Sequence, residues 1–343
     1  MRPVCASIVF SMLAATATWA APADPNQKAV CRGGDPRAAV RACTQLLEDR
    51  RLSADDRLLA FVQRANAYDA VGERDRAKKD YDAALAIAPK SPWVHRNRGA
   101  MFIGAGQLHE AMRDFDAAVA LDPGYGYAWA SRCNARRLIA STTADDKARR
   151  ALYEQALIDC EQAFTVGRLD EFLAGTHEVR GLVHQALGHL DAALADFTTL
   201  VTLRPDHART RLTLADSLRL AAQSATGSAQ QATLVQAREE YDNALRLGSL
   251  GQAEVVAYYN RGLVHFQLRQ FDSAIADFTS ALGLAADHPL LPYIYAGRAM
   301  ALADAGALVR ARSDVDMVAT LTKRGAASGV LDSTRDYVTQ RGL

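Results

Sequence analysis

The chain has 343 residues, about half of them apolar, and a formal net charge of +1. A nearly neutral chain has no strong field to attract nucleic acid or an anionic membrane surface, so no nucleic-acid partner is predicted. The sequence contains no P-loop, GxGxxG, HExxH, GxSxG or EF-hand pattern, and no CxxC or Cys/His cluster with zinc spacing. We therefore predict that the protein is not an enzyme and that it uses no cofactor or metal.

Residues 1–20 predict a secretory signal peptide. Arg2 is the charged start, residues 8–15 form a short apolar stretch, and Thr18 and Ala20 are small residues suited to a cleavage site. The stretch is too short to span a bilayer comfortably, and no integral membrane span is predicted in the mature chain. These features predict a bacterial protein that is exported, either periplasmic or secreted. An uncleaved or wrongly assigned start is the alternative.

Residues 21–57 predict an N-terminal arm followed by a helix. The arm contains Pro, Gly and Asp up to residue 35 and is expected to be irregular. Asp35 followed by proline is typical of a helix start, so we expect a helix over residues 37–49. Three residues of this segment share one helical face, namely Ala39, Cys43 and Leu46.

The clearest pattern lies between residues 92 and 125, where two predicted helices meet at a short turn. Gly104 and Gly106 break the first helix and allow a sharp reversal. The second helix has Ala111 and Phe115 on one face and stops before Pro123. Two helices this short cannot bury their own apolar face, so the pattern predicts neighbours of the same kind.

Such neighbours recur along the chain, and Pro89 and Pro123 end two successive copies that are 34 residues apart. Seven copies align when they start near residues 58, 92, 126, 174, 208, 255 and 292. The twentieth position is then always alanine: Ala77, Ala111, Ala156, Ala193, Ala237, Ala274 and Ala311. The eighth is always small: Ala65, Gly99, Cys133, Gly181, Ala215, Gly262 and Ala299. The twenty-fourth is Tyr81, Phe115, Cys160, Phe197, Tyr241, Phe278 and Val315.

A 34-residue helix–turn–helix period with small, aromatic and proline residues at fixed offsets resembles the tetratricopeptide repeat (TPR). The resemblance covers roughly three quarters of the chain. It implies an all-α fold, a right-handed TPR solenoid of about seven helix-turn-helix repeats over residues 58–325. Residues 21–57 would then contain a partial N-terminal repeat. The chain also resembles exported TPR proteins of Gram-negative bacteria.

Residues 326–343 predict a C-terminal cap. We expect Asp332 and Ser333 to start a final helix, and Tyr337 and Val338 to cover the last exposed apolar face.

Repeats three and five exceed the period, at 48 and 47 residues. Most of the extra residues precede the shared alanine of the second helix. Residues 143–146 and 228–231 both have the features of a helix start, and the latter fits a capping box. We interpret the excess as second helices extended at their N-terminal ends by close to three turns. A longer flexible turn is the alternative.

Cleavage after residue 20 would remove Cys5 and leave four cysteines. An even number of cysteines in an exported chain favours disulfides. Of the three connectivities we favour Cys31–Cys43 and Cys133–Cys160, because each pair lies within one structural unit. The alternative is that these cysteines are simply small buried residues.

A charge pair repeats beside the predicted core. The seventh position is arginine in six repeats: Arg64, Arg98, Arg132, Arg180, Arg261 and Arg298. The twenty-third is acidic in all seven: Asp80, Asp114, Asp159, Asp196, Glu240, Asp277 and Asp314. We expect each arginine to reach across its hairpin to its acidic partner. A row of arginines for nucleic-acid phosphates is the alternative, and the acidic residue in every repeat argues against it.

The resemblance also implies a binding surface, since the first helices of TPR proteins line a concave groove. The implied groove residues are Asn66, Asp69, Trp93, Arg96, Asn97, Tyr127, Asn134, Arg137, Glu178, Arg209, Asp216, Tyr259, Phe266 and Tyr293. Packing between repeats is the alternative for Trp93, Tyr127 and Tyr293. The family's carboxylate clamp for chaperone C-termini is absent, because Val62, Tyr127 and Ser131 replace its basic residues.

The predicted function is a non-catalytic scaffold or adaptor for protein–protein interaction, which binds a peptide or partner segment in the groove. The alternative is a permanent structural subunit of a cell-envelope or secretion assembly, bound through its flank.

Overall fold

The computed structural model of the protein describes residues 25–167, 169–322 and 328–342. The predicted signal peptide and Cys5 lie outside these residues. Helices joined by short turns make up the described chain, which contains no strand in those ranges. The described residues group into two compact units, unit 1 up to Leu187 and unit 2 from Gly188.

Unit 1 contains nine α-helices in its described part. They are α1 (Pro25–Arg32), α2 (Pro36–Glu48), α3 (Ala54–Ala70), α4 (Arg74–Ile87), α5 (Pro92–Gly104), α6 (Leu108–Leu121), α7 (Gly126–Thr142), α8 (Asp146–Val166) and α9 (Leu173–Leu187). A 3₁₀ turn, Asp170–Phe172, precedes α9. Unit 2 contains α10 (Leu190–Leu203), α11 (Ala208–Ser224), α12 (Gly227–Leu247), α13 (Ala253–Gln267), α14 (Phe271–Leu284), α15 (Leu291–Asp304), α16 (Leu308–Thr322) and α17 (Ser328–Thr339).

Each hairpin pairs a first helix with the second helix that follows it. In unit 1 the hairpins are α3/α4, α5/α6 and α7/α8, and in unit 2 they are α11/α12, α13/α14 and α15/α16. The alanines at the twentieth position of all seven repeats are fully buried. Gly99 shows why the eighth position is small: a Cβ atom there would come within 2.6 Å of the Phe115 ring. The predicted pairing of small and large positions is confirmed.

The predicted charge pairs are present in five hairpins. The arginine side chain donates two hydrogen bonds of 2.5–3.0 Å to both carboxylate oxygens of its partner. The pairs are Arg64–Asp80, Arg98–Asp114, Arg132–Asp159, Arg261–Asp277 and Arg298–Asp314. The aspartate side chains are 1–8% exposed and the arginines 13–21%. These are therefore buried or half-buried pairs that hold the two helices of a hairpin together.

The same arginines also connect successive hairpins. Arg98 Nη1 donates to Asp82 on α4, and Arg132 Nη1 donates to Asp116 on α6. Repeat five has leucine at its seventh position, and there Arg211 donates instead to Glu240 at 2.8 Å. The pairing of Arg180 with Asp196 stays a prediction.

The N-terminal arm differs from the expectation of irregular chain, because residues 25–32 form α1. Cys31 is fully buried and is joined to Cys43 by a disulfide. It packs with Leu46 and Leu52, so burial on α2 outweighs the polar composition of the arm. The predicted helix after Asp35 is confirmed, and the Asp35 side chain caps it by accepting from the Ala38 N–H at 3.0 Å.

The two long repeats carry longer second helices. α8 and α12 each have 21 residues, whereas α4, α6, α10 and α14 each have 14. The predicted extension is thus confirmed over the flexible turn, but it amounts to seven residues, about two turns, and the expected length of close to three turns is wrong. The expected capping box at Ser228 is wrong, since α12 begins at Gly227 and Ser228 lies inside its first turn. Gly227 has a φ of +60°, which lets the chain reverse directly into the helix.

The C-terminal helix begins earlier than expected. α17 starts at Ser328, so Asp332 and Ser333 lie inside it and do not begin it. Val338 is 2% exposed and packs with Leu302 and Val315. The helix therefore covers the apolar face of α15 and α16, as a terminal cap does.

Candidate binding surfaces on the first helices

The residues expected to line a groove lie on the first helices of the hairpins. Those in unit 1 are Asn66 and Asp69 on α3, Trp93, Arg96 and Asn97 on α5, Tyr127, Asn134 and Arg137 on α7, and Glu178 on α9. Those in unit 2 are Arg209 and Asp216 on α11, Tyr259 and Phe266 on α13, and Tyr293 on α15. They thus form two sets, one in each unit.

Arg96 is at the centre of the set in unit 1. Ser91 caps α5 and Pro92 opens it, which places Arg96 in the second turn of the helix. The residue is only 6% exposed. Its Nε donates to Ser131 Oγ at 3.2 Å, and its Nη1 donates to Asn97 Oδ1 at 3.0 Å. Both acceptors are neutral oxygen atoms, and the bond to Ser131 links α5 to α7.

The Arg96 guanidinium lies 4.4 Å from the centre of the Phe172 ring. The rings of Tyr127 and Phe172 meet edge to face, with their centres 4.9 Å apart. The ring centre of Tyr125 lies 5.6 Å from that of Tyr127. The Tyr127 hydroxyl donates to Asp170 Oδ2 at 3.4 Å. The 3₁₀ turn thus folds back onto α5 and α7, and its Phe172 ring packs beside the rings of Tyr127 and Tyr125.

Burial governs the ionisation of this cluster. It lowers the pKa of Arg96, while neighbouring Tyr125, Tyr81 and Tyr127 raise it in part. An arginine still keeps its charge at neutral pH. Burial, followed by the carboxylate of Asp170, raises the pKa of Tyr127. The cluster is therefore a cation among neutral rings.

A second polar contact in unit 1 joins α4 to α3. The Tyr81 hydroxyl donates to Asn66 Oδ1. Burial raises the pKa of Tyr81, and it also raises the pKa of Asp69. Asp69 accepts a hydrogen bond of 3.4 Å from Arg74 Nε.

The other unit 1 residues have varied surroundings. Trp93 packs against the buried core of Val62 and Tyr81, so the packing interpretation holds for it. Asn134 Oδ1 accepts from Arg137 at 3.0 and 3.3 Å. Glu178 is half-buried on α9.

In unit 2 the central residue is Asp216. Its Oδ1 accepts from the Tyr241 hydroxyl at 2.5 Å and from Asn260 Nδ2 at 2.9 Å. Burial raises the pKa of Asp216 in spite of these donors. Arg219, one turn further along α11, has a buried Nε with no hydrogen-bond partner among the described residues.

The aromatic residues of unit 2 belong mostly to its core. Tyr259 and Phe266 pack against a cluster that contains Phe278, and the Tyr259 ring centre lies 6.0 Å from that of Phe278. Tyr293 is 38% exposed and Arg209 is exposed. The predicted residues of unit 2 are thus less tightly clustered than those around Arg96.

The period alone did not identify Phe172, Tyr125, Tyr81, Tyr241 and Asn260 as part of these surfaces. One signal was available: the twenty-fourth residue is tyrosine only in repeats one and five, and the ninth residue there is Asn66 or Asp216. Those are the two repeats in which a hydroxyl reaches a first-helix acceptor.

In residues 25–167, 169–322 and 328–342 no three His, Cys, Asp or Glu side chains come together where they could hold a metal ion. No helix within those ranges is long and apolar enough to cross a membrane.

Models of the tetratricopeptide repeat match the sequence at residues 62–126 and again at residues 255–288. The chain contains tetratricopeptide repeats. This confirms the family and the all-α repeat fold expected from the period. TPR domains mediate protein–protein interactions, so the fold supports a role as an interaction scaffold in general.

Solved structures share the fold. pilF of Pseudomonas aeruginosa is 18% identical, with 68% of this chain and 94% of that chain covered and a TM-score of 0.54. The C-terminal part of a TPR repeat-containing protein from Cytophaga hutchinsonii is 15% identical, with coverage of 76% and 95% and a TM-score of 0.50. The APC/C hetero-tetramer Cut9–Hcn1 matches at 15% identity, with coverage of 90% and 53% and a TM-score of 0.52.

Proposed function

We propose that the protein is a non-catalytic adaptor that binds an extended segment of a partner protein along the first helices of unit 1. The observation that supports this best is the cluster in which Arg96, Phe172 and Tyr127 meet. Arginine and aromatic side chains are the usual anchors of protein interfaces. Amide groups such as that of Asn134 can in addition bond to the backbone of an extended segment.

The environment of each residue decides which one can report on binding. Trp93 and Tyr259 pack against core residues, so replacing either changes stability as well as surface. Tyr127 is half-buried, and its ring contacts Tyr125 and Phe172 at the surface of the cluster. A probe at Tyr127 therefore samples the proposed groove more directly.

We would place a photo-crosslinking amino acid at Tyr127 and, in a second protein, at Ile158 on α8. Ile158 is the matched control because its side chain is exposed on a second helix, at 62%. The adaptor proposal predicts that a partner segment is crosslinked from position 127 and not from position 158. Peptide mapping of the crosslinked product then identifies the bound segment. Crosslinks from position 158 alone would reject binding through the groove.

A second candidate is a permanent subunit held through its flank. It is favoured by α8, whose added N-terminal turns carry exposed residues such as Lys147 and Arg150, and by the exposed Ile158. The crosslinking experiment distinguishes the two candidates, since this one predicts products from position 158 that survive loss of Tyr127.

We infer further that the protein functions outside the cytoplasm. Two disulfides are compatible with export, because cytosolic proteins rarely keep them. The leader predicted at residues 1–20 supports the same location. Thiol alkylation of cell samples checks the inference: the protein should carry no free Cys31, Cys43, Cys133 or Cys160, and a form lacking residues 1–20 should carry all four as thiols.

A further inference from the structure

We propose that Arg96 recognises one carboxylate, that of an Asp or Glu side chain in the bound segment. This inference rests on the proposed binding of an extended segment to unit 1 and adds the chemistry that the segment must present. It defines an anion site at a position other than those of the family's chaperone clamp, whose basic residues are absent here.

Arg96 differs from the arginines at the seventh position of the first helices in unit 1. Arg64, Arg98 and Arg132 each hold a buried aspartate through two hydrogen bonds. Arg96 is more buried than these residues, yet no carboxylate of the described chain lies within ion-pair distance of it. Its partners are a hydroxyl and an amide oxygen. A buried charge normally has a charged partner, since its desolvation is otherwise poorly compensated.

One donor group of Arg96 is available to a ligand. Nε and Nη1 are used by Ser131 and Asn97, whereas Nη2 has no hydrogen-bond partner in the described chain. A fully buried nitrogen atom without a hydrogen-bond partner occurs elsewhere in the described chain, but Nη2 of Arg96 is not such an atom. Part of Nη2 is therefore exposed to solvent. Because the ring of Phe172 and the two hydrogen bonds fix the guanidinium, Nη2 is pre-oriented for an incoming acceptor.

The surroundings favour a single negative charge. Asp170 and Glu171 lie close enough to raise the pKa of Tyr127, and their negative charge would repel a doubly charged phosphate about twice as strongly as a singly charged carboxylate. A carboxylate brings one charge, which Arg96 matches. Charge-assisted hydrogen bonds of this kind are stronger than neutral ones.

The depth of Arg96 favours a side chain over a chain terminus. At 6% exposure the residue lies below the helix surface. The methylene groups of Asp or Glu extend a carboxylate away from the backbone, and they can pack against Tyr127 and Phe172. A terminal carboxylate is attached directly to the backbone, so it reaches less far below the helix surface.

The test uses three small probes and the purified protein at constant ionic strength. They are the amide of N-acetyl-glutamate, the amide of N-acetyl-glutamine, and N-acetyl-alanine with a free terminal carboxylate. Binding is followed by NMR at the Nε–H signal of Arg96, assigned from its loss in Arg96→Lys. We expect saturable binding of the glutamate probe in the millimolar range, and binding of the other two at least about tenfold weaker.

Two variants complete the test. Arg96→Gln should abolish binding of the glutamate probe, followed at the Tyr127 ring signals. Arg113→Gln, which removes an equal charge from a side chain that is 78% exposed on α6, should leave it unchanged. Equal shifts with the glutamate and glutamine probes would overturn the proposal, and that comparison needs no variant. Tighter binding of N-acetyl-alanine would overturn the assignment to a side chain.

The outcome is separable from that of the adaptor proposal. If Arg96→Gln keeps the crosslink from position 127 at full yield and the glutamate probe does not bind, the adaptor proposal stands and the carboxylate site is rejected. If the probe binds but no partner is crosslinked from position 127, the site is supported and the partner-binding proposal fails.

Discussion

Asp114 and Asp116 lie two residues apart on α6, and each accepts a hydrogen bond from an arginine. Asp114 is 4% exposed and binds Arg98 through both carboxylate oxygens, whereas Asp116 is 54% exposed and binds Arg132 through one. We predict that Asp114→Ala lowers the free energy of unfolding by about 1–3 kcal/mol, because Arg98 loses two charge-assisted hydrogen bonds and keeps only the one to Asp82. Asp116→Ala should cost less than about 1 kcal/mol.

Urea unfolding of both variants, followed by circular dichroism, measures the difference. The two substitutions remove the same atoms from the same helix, so helix propensity cancels between them. Equal losses would show that burial of the repeat pair contributes nothing beyond an exposed ion pair.

The ionisation of Asp216 gives a second prediction at the level of a single residue. Burial raises its pKa above the ordinary value of 3.8, so the native state holds a proton more strongly than the unfolded state does. At a pH above both the native and the unfolded pKa, the buried charge of Asp216 lowers the free energy of unfolding. This loss of stability disappears as the pH falls through the raised native pKa towards 3.8. We therefore expect Asp216→Asn to gain stability relative to the wild type at pH 7 and to lose that advantage on acidification.

Thermal unfolding of both proteins at a series of pH values between 7 and 3.8 measures this. Asp206→Asn is the control, since Asp206 is exposed in the turn before α11. An Asp216→Asn advantage that grows on acidification would contradict the raised pKa.

At the level of a helix, the two glycines of α5 should respond oppositely to alanine. A Cβ atom at Gly99 would lie 2.6 Å from a ring carbon of the fully buried Phe115, whereas one at Gly104 would meet only the end of Arg74 at 3.8 Å. We predict that Gly99→Ala destabilises by about 1–3 kcal/mol through overpacking. Gly104→Ala should stabilise by up to about 1 kcal/mol, because alanine loses less entropy in a helix. Guanidinium unfolding compares the two, and a stabilising Gly99→Ala would show that Phe115 moves freely.

The sequence predicted the elements whose residues repeat and missed the contacts made outside the period. Small and large residues at fixed offsets identify hairpins because they face each other, as Gly99 and Phe115 do. Phe172 lies in the link between repeats three and four, where the period provides no register. Its position over Arg96 depends on how the Asp170–Phe172 turn folds back onto α5. The helical start of the arm was missed for a similar reason, since the disulfide at Cys31 and not local propensity holds α1 in place.

At the level of the molecule, the division into units was not apparent from the period. The repeats continue through Leu187 and Gly188, and only the structure separates unit 1 from unit 2 there. The excess length of repeats three and five, by contrast, predicted where each unit has its longest helix, because extra residues before a fixed alanine must either extend the helix or enlarge the turn. The helix-start residues at 143–146 and 228–231, which follow shortly after the first helix of each repeat, favoured an extended second helix.

The two disulfides should contribute unequally to the stability of the molecule, because each hairpin of a repeat array contacts mainly its neighbours. Cys133–Cys160 joins α7 to α8 inside unit 1 and closes a loop of 27 residues, so its loss should cost about 3–4 kcal/mol. Cys31–Cys43 spans 12 residues and holds the terminal helix α1. Cys31→Ala/Cys43→Ala should therefore increase hydrogen exchange in residues 25–32 and change the global midpoint little. Cys133→Ala/Cys160→Ala should lower that midpoint and increase exchange across α7 and α8.

Reduced wild-type protein, which keeps all four sulfur atoms, separates loss of the crosslink from loss of packing. Equal shifts of the global midpoint in the two double variants would contradict this prediction. They would mean that unit 1 unfolds cooperatively, and that its terminal helix and its interior helices contribute equally to its stability.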